Sequence, residues 1–152
     1  MTKNCKIQGI GTAIGLLGLR LFLAWEFFES GKEKWNGENW FMEVQESFPF
    51  PFNIIPADIS WNLAMGAEIL LPLFLIFGFL TRFSALSLAI LTSVAWYTIH
   101  ADAGYNVCDN GYKMALIYLI TLLPLITQGA GMLSLDSLIK KVNSTKDWLR
   151  FL

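Results

Sequence analysis

Four long apolar runs dominate this 152-residue chain and constrain its fold more than any other feature. A run of about 17–25 apolar residues has the length of a helix that crosses a bilayer. The predicted spans cover about 10–30, 61–80, 83–99 and 112–128. The first two are long enough alone, whereas the third and fourth need their flanking residues to reach across. The sequence therefore predicts an all-α, four-helix transmembrane bundle formed by a single domain, 1–152.

The composition agrees with a membrane protein and excludes several other classes. Hydrophobic residues make up 55% of the chain and charged residues 15%, and the mean hydropathy is +0.50. A soluble domain of this length rarely hides so much apolar surface. The net charge of −1 gives no reason to expect nucleic acid as a partner. We expect the lipid bilayer to be the main partner.

Basic residues predict the orientation of the spans. Four spans place both termini on one side, and that side carries seven lysines and arginines outside the spans, against three on the other side. The seven are Lys3, Lys6, Arg82, Lys140, Lys141, Lys146 and Arg150, and the three are Lys32, Lys34 and Lys113. The positive-inside rule then predicts a multi-pass protein of a bacterial-type inner membrane with both termini in the cytoplasm.

Charged residues inside the first two spans are the first candidate site. A charge at the bilayer centre costs at least about 2.5 kcal/mol, so such side chains face protein or water. Arg20 and Glu68 lie at similar predicted depths, which predicts an ion pair that is either a structural clamp or part of a functional cavity. The predicted polar core or ligand pocket contains Arg20, Trp25, Glu26, Glu29, Lys32, Trp61 and Glu68.

The connection between the first two spans is long and aromatic. Gly37–Phe48 has the pattern of a short amphipathic helix at the membrane surface. The following Phe48-Pro-Phe-Pro-Phe52 favours an extended course, because its prolines forbid helix. Trp40, Phe48, Phe50 and Phe52 are therefore predicted to form a lid, which either anchors the loop in the interface or covers a ligand.

A second outward connection holds the only histidine of the chain. His100, Asp102, Cys108 and Asp109 are residue types that bind copper or zinc, although their spacing matches no closed metal motif. The alternative is a polar interfacial loop. Cys5 and Cys108 are predicted on opposite faces of the membrane and form no disulfide framework.

Two further patterns concern packing. Gly11 and Gly15 form a small-xxx-small pattern, continued at Gly18, which predicts close helix packing either inside the bundle or at a dimer seam. The predicted tail, 134–152, has leucines and Ile139 on one stripe beside Lys140 and Lys141, which is typical of a helix on an anionic membrane surface.

Several segments together resemble the DoxX family of four-helix membrane proteins. The resemblance rests on Leu19-Arg20-Leu21, on Glu68 before Gly78, and on Gly129-Ala-Gly-Met-Leu-Ser-Leu-Asp136, where Ala130 stands in place of the common proline. More narrowly, the chain resembles the HvfX branch. The segments similar to that branch are Ala24-Trp-Glu26, Glu38-Asn-Trp-Phe41, Phe48-Pro-Phe-Pro-Phe-Asn53, Pro56-Ala-Asp58, Ser60-Trp61, Thr81-Arg82 and Gly111-Tyr-Lys113.

The resemblance implies an accessory membrane protein in the maturation, export or handling of a copper-binding modified peptide and in defence against copper stress. The implied partners are that peptide and its oxygenase machinery, and a homo-oligomer is a further expectation. No complete catalytic motif is present, which favours a role without enzymatic activity. The first alternative is a quinone-linked oxidoreductase membrane subunit, and the second is a small oligomeric transporter. Copper and quinone are thus the two candidate cofactors.

Overall fold

The computed structural model describes residues 3–142, and this part of the chain is helical with no β-strand. Its α-helices are α1 (Lys3–Asn36), α2 (Phe41–Val44), α3 (Ala57–Phe77), α4 (Thr81–Ala95), α5 (Lys113–Gln128) and α6 (Leu135–Val142). A π-helical turn, Trp96–His100, continues α4. The predicted all-α fold is confirmed. The helix α6 falls within the predicted tail, whose remainder, 143–152, lies outside the described residues.

Three helical segments are long and apolar enough to cross a bilayer: Gly9–Asn36, Ala57–Phe77 and Thr81–His100. The fourth, α5, is also apolar but has 16 residues. At 1.5 Å per residue it measures about 24 Å, which is shorter than a hydrocarbon core of about 30 Å. The helix observed within the predicted amphipathic segment Gly37–Phe48 is shorter than predicted. It consists of α2 and a following 3₁₀ turn, Gln45–Ser47.

The interior of the bundle is a continuous apolar core between α1, α3, α4 and α5. Its members are Leu16, Leu23, Ala24, Phe27, Leu71, Leu75, Ala85, Leu88, Leu122 and Leu125. Gly78 turns the chain from α3 into α4 with φ +65, a left-handed conformation that glycine adopts without a steric penalty. We call this the Gly78 end, and the opposite end, where residues 37–56 connect α1 to α3, the lid end.

Arg20 lies at the Gly78 end and not beside Glu68. Its side chain is 1% exposed. Its Nη1 donates hydrogen bonds to the carbonyl oxygens of Ala130 (2.8 Å) and Leu133 (2.9 Å), and its Nη2 donates one to Ile76 (3.4 Å). The carbonyls of Ala130 and Leu133 follow the end of α5 and that of Ile76 lies in the last turn of α3, where backbone oxygens lack helical partners. The predicted ion pair between Arg20 and Glu68 is therefore wrong, because Arg20 instead joins the segment after α5 to the end of α3.

The segment after α5 is fastened to the same turn by Asp136. Its carboxylate oxygens accept hydrogen bonds from the backbone N–H groups of Leu80 (2.9 Å) and Thr81 (3.1 Å), and its own N–H donates to Gly78 O (3.0 Å). An aspartate at this position satisfies N–H groups at the start of α4 that have no helical acceptor. The segment Gly129–Asp136 therefore binds across the Gly78 end, and we call it the clasp.

The glycines in the N-terminal half of α1 at positions 11, 15 and 18 do not pack inside the bundle. A Cβ atom built on Gly11, Gly15 or Gly18 would meet no atom within 4 Å among the described residues. The prediction that this pattern packs within the bundle is therefore wrong, and these glycines leave one face of α1 open.

Candidate functional site

A cavity of about 560 Å³ occupies the lid end of the bundle, between α1, α3, α4 and α5. This volume falls in the range of small-molecule sites, about 300–1,000 Å³. Most of its lining is apolar and aromatic, and the polar side chains on it are Glu26, Ser30, Lys34, Ser60, Glu68, Ser87, Thr92, His100 and Tyr118. A mainly apolar cavity with a few polar groups is the usual form of a ligand site.

Lys34 and Glu68 form a salt bridge on the cavity wall. Lys34 Nζ lies 2.7 Å from Glu68 Oε2 and also donates to Ser30 Oγ at 3.1 Å. The Glu68 side chain is 3% exposed and that of Lys34 is 16% exposed. A carboxylate buried this deeply needs a partner, since an unpaired charge in a low dielectric is strongly unfavourable. Lys34 therefore has the role that the sequence analysis gave to Arg20.

Gly31 allows α1 to approach α3 at this point. A Cβ atom on Gly31 would lie 2.9 Å from the backbone carbon of Glu68 and 2.9 Å from Ile69 Cγ1. Only a residue without a side chain fits there, so the backbones of α1 and α3 touch beside the salt bridge. This contact fixes the axial offset of the two helices and brings Lys34 level with Glu68.

Glu26 and Tyr118 form a second polar pair on the wall. The Tyr118 hydroxyl donates to Glu26 Oε2 at 2.5 Å, joining α1 to α5. The Tyr118 ring also contacts Phe27, with ring centroids 5.5 Å apart. Glu26, Ser30 and Lys34 follow one another at four-residue spacing, so they share one face of α1. That spacing is a signal in the sequence which could have indicated Lys34 and Ser30 as site residues.

Aromatic residues of the connection between α1 and α3 lie over the cavity. Trp40, Phe48 and Phe52 line it, and Phe48 is 7% exposed. Phe41 contacts both Phe48 and Trp61 edge to face, with centroids 5.2 and 5.1 Å apart. Phe50, by contrast, is 79% exposed and does not line the cavity. The structure thus places three of the four predicted lid residues against the cavity.

His100 reaches the cavity from the π-helical turn after α4. Its Nδ1 lies 2.6 Å from the carbonyl oxygen of Asn110. A carbonyl oxygen only accepts hydrogen bonds, so Nδ1 carries a hydrogen, and in the corresponding neutral tautomer Nε2 is an acceptor. This bond also ties the end of α4 to the loop that precedes α5.

Besides Arg20, which lies at the Gly78 end, three residues of the predicted polar core lie exposed on α1. Trp25 is 67% exposed on the outside of α1. Glu29 and Lys32 are exposed and line a shallow groove on the opposite side of α1. Placing these three in the core was wrong, because the cavity face of α1 follows four-residue steps from Glu26. Trp61 is buried beneath the aromatic connection, as part of its support.

The predicted metal site is not assembled. Asp102, Cys108 and Asp109 are exposed, and Asp109 Oδ2 accepts a hydrogen bond from Asn106 Nδ2. Among the side chains that the structure describes, no three of His, Cys, Asp or Glu come together as ligands for a metal ion. The loop is held instead by local turns and by stacking of Tyr112 on Trp96, with centroids 5.1 Å apart.

Comparison with known proteins places the chain in a family. The family model described as DoxX matches residues 15–101, more than half of the chain. An uncharacterized protein of Haemophilus influenzae (strain Rd) is 73% identical over 150 residues, covering 99% of each chain. No solved structure matches. Together with the apolar helices, the family match identifies a multi-pass membrane protein, and this chain belongs to the DoxX family.

Proposed function

We propose that this DoxX-family protein is the membrane subunit of a quinone-linked oxidoreductase and binds a lipid-soluble quinone-type molecule in the cavity at the lid end. The observation that carries the proposal is the cavity of about 560 Å³, mainly apolar and closed toward one side by aromatic side chains. A ring and its apolar chain would lie against Phe27, Leu63 and Ile90, which line the cavity. The polar head would reach the groups at Lys34, Glu68 and Glu26.

The apolar core supports a binding site rather than a channel. Leu23, Leu75, Leu88 and Leu122 are fully buried between the cavity and the Gly78 end. Water or an ion would have to cross this layer without a polar partner, which costs several kcal/mol. A transport role would therefore require a rearrangement of the bundle or a route between copies of the chain.

Binding can be measured on the full chain in lipid nanodiscs. Decyl-ubiquinone is titrated while tryptophan fluorescence is recorded, since Trp40 lines the cavity. Ala64→Phe fills the cavity from α3 and is expected to weaken binding about tenfold or more. Leu70→Phe is the matched control, because Leu70 is 51% exposed and lies away from the cavity. Equal affinity of the two variants, or binding of neither decyl-ubiquinone nor its reduced form by the parent chain, would reject this proposal.

The maturation, export or handling of a copper-binding modified peptide is a second candidate function. The resemblance of segments within residues 38–61 to the HvfX branch supports it, and Trp40, Phe48 and Phe52 of those segments line the cavity. Deletion of the gene should then lower copper tolerance and the amount of secreted modified peptide, and normal values of both would exclude this role.

The orientation is also a proposal, with both termini on the cytoplasmic side of a bacterial inner membrane. Cys108 is exposed on the loop at the lid end and offers a direct test. In a Cys5→Ser background, a membrane-impermeant maleimide added to intact spheroplasts should label Cys108. Labelling only after the membrane is permeabilised would reverse the assignment.

The open glycine face of α1 supports a homo-oligomer, because small residues allow two helices to approach closely in a membrane. Crosslinking through a cysteine at Gly15 in nanodiscs reports on this proposal, with a cysteine at the exposed Leu70 on α3 as the comparison.

A further inference from the structure

Three hydrogen-bond donors of the cavity wall already use most of their hydrogen atoms, whereas the Ser60 and Ser87 hydroxyls on the same wall can donate or accept. The Tyr118 hydroxyl uses its single hydrogen on Glu26 Oε2. Lys34 has three N–H bonds, of which two point to Ser30 and Glu68. His100 uses its Nδ1 hydrogen on the Asn110 carbonyl, with 2.6 Å between the two atoms. One Lys34 hydrogen is therefore the main charged donor that these groups keep for a ligand.

Acceptors, in contrast, are in excess. Glu26 has a second carboxylate oxygen for which the described part of the chain shows no donor besides Tyr118. Glu68 adds a second carboxylate to the same wall, and His100, in the tautomer with its hydrogen on Nδ1, adds Nε2. The formal charges of Glu26, Glu68 and Lys34 also sum to a negative value. A ligand head that only accepts hydrogen bonds would thus face acceptors.

A quinone and its reduced form differ in this respect. The quinone head has two carbonyl oxygens, which accept, whereas the hydroquinone head has two hydroxyl groups, which also donate. A buried acceptor left without a donor costs about 1–3 kcal/mol. Once a ligand head displaces water from the wall, only the hydroquinone would supply its acceptors with donors, so the wall would distinguish two molecules of nearly the same shape.

We propose that the cavity is selective for the hydroxyl-bearing, reduced form of its quinone-type ligand, with Glu26 and His100 Nε2 as the acceptors of the two hydroxyl hydrogens. This inference rests on the proposed function and names the redox form that the site holds. It concerns binding alone: the head exchanges hydrogen bonds with the wall and no bond is broken.

The test compares three ligands on the full chain in nanodiscs under anaerobic conditions. They are decyl-ubiquinol, decyl-ubiquinone, and the dimethyl ether of decyl-ubiquinol, which has the shape of the quinol but no hydrogen to donate. We expect decyl-ubiquinol to bind about tenfold or more tightly than both others. An ether that binds as tightly as the quinol would show that shape governs binding, and would overturn the inference.

Two variants on α1 locate the acceptor. Glu26→Gln exchanges one carboxylate oxygen for a donor group and is expected to reduce the quinol preference to about threefold or less. Glu29→Gln changes an exposed glutamate on the same helix and should keep the full preference. If Glu26→Gln fails to fold, the three-ligand comparison on the parent chain still tests the selectivity for the reduced form.

The outcomes separate the inference from the proposed function. Binding of the quinone as tightly as the quinol, or more tightly, overturns the selectivity but leaves a quinone-type ligand in the cavity. Absence of binding by both redox forms overturns the proposed function itself. An unchanged preference in Glu26→Gln overturns the assignment of Glu26 as an acceptor.

Discussion

Asp136 caps the helix that begins at Thr81, although 55 residues separate the two in the chain. One carboxylate oxygen accepts from the Thr81 N–H and the other from the Leu80 N–H, while Asp136 itself is 3% exposed. The cap of α4 is thus supplied by the segment after α5 and not by a residue next to the helix. The start of α4 and the end of the bundle are consequently stabilised together.

Asp136→Asn should lower the free energy of unfolding by about 1–2 kcal/mol. The amide has one oxygen in place of two, so one of the two N–H groups at the start of α4 faces an NH₂ group. Thermal unfolding in a mild detergent measures the change. Asp102→Asn, at an exposed loop position, serves as the control and should have the stability of the parent chain. Equal melting of Asp136→Asn and the parent would argue against the cap.

Arg20→Leu should lower the free energy of unfolding further, by about 3–5 kcal/mol. The substitution removes the guanidinium group and leaves the carbonyl oxygens of Ala130 and Leu133 without their donor. Arg20→Lys should recover part of the loss, because a single ammonium cannot match the spread of the guanidinium. Arg82→Leu is the comparison, since Arg82 makes one exposed bond to Thr127 O at 3.1 Å. A similar loss in the Arg20 and Arg82 variants would contradict the role of the clasp.

Gly31→Ala should separate α1 from α3. The new methyl group would lie 2.9 Å from the backbone of Glu68, so the helices must shift. We expect the free energy of unfolding to fall by about 1–3 kcal/mol. Gly18→Ala in the same helix meets nothing within 4 Å and should raise stability by up to about 1 kcal/mol, through helix propensity. Unfolding in a denaturing detergent distinguishes the two. The prediction fails if both alanine variants gain stability.

The salt bridge between Lys34 and Glu68 predicts strong coupling in a double-mutant cycle. Lys34→Met leaves the Glu68 carboxylate, which is 3% exposed, without its partner. We expect this variant to lose about 3–5 kcal/mol of unfolding free energy. Adding Glu68→Leu should restore much of the loss, because the remaining charge is removed with it. Lys32→Met, at an exposed position two residues earlier, should change little. Additive effects of the two cavity substitutions would show that the pair is not coupled.

Much of the fold could be predicted from local properties of the sequence. The helical class follows from the apolar runs, since backbone groups in hydrocarbon must be satisfied within each segment. Burial of Arg20 and Glu68 follows from the cost of a charge in the bilayer. The aromatic residues around Trp40 and Phe48 were expected over a polar site, and the structure places both against the cavity.

The partner of each buried charge, however, depended on the ends and the offset of the helices. The sequence analysis ended the first span near residue 30, whereas α1 continues to Asn36. Arg20 therefore lies 16 residues, or about 24 Å, from that end of α1, and Glu68 lies 11 residues, or about 17 Å, from the start of α3. The two charges consequently occupy different levels of the bundle.

By itself, the sequence determined which segments are helices in a membrane and which charged side chains must be buried. Only the tertiary structure decided that Glu68 pairs with Lys34, that Arg20 binds the carbonyl oxygens after α5, and that Glu26 meets Tyr118. The physical reason is that hydropathy and the cost of burying a charge act on each residue in its own segment. Pairing depends on how far one helix slides along another, and here a contact between Gly31 and the backbone of Glu68 sets that distance.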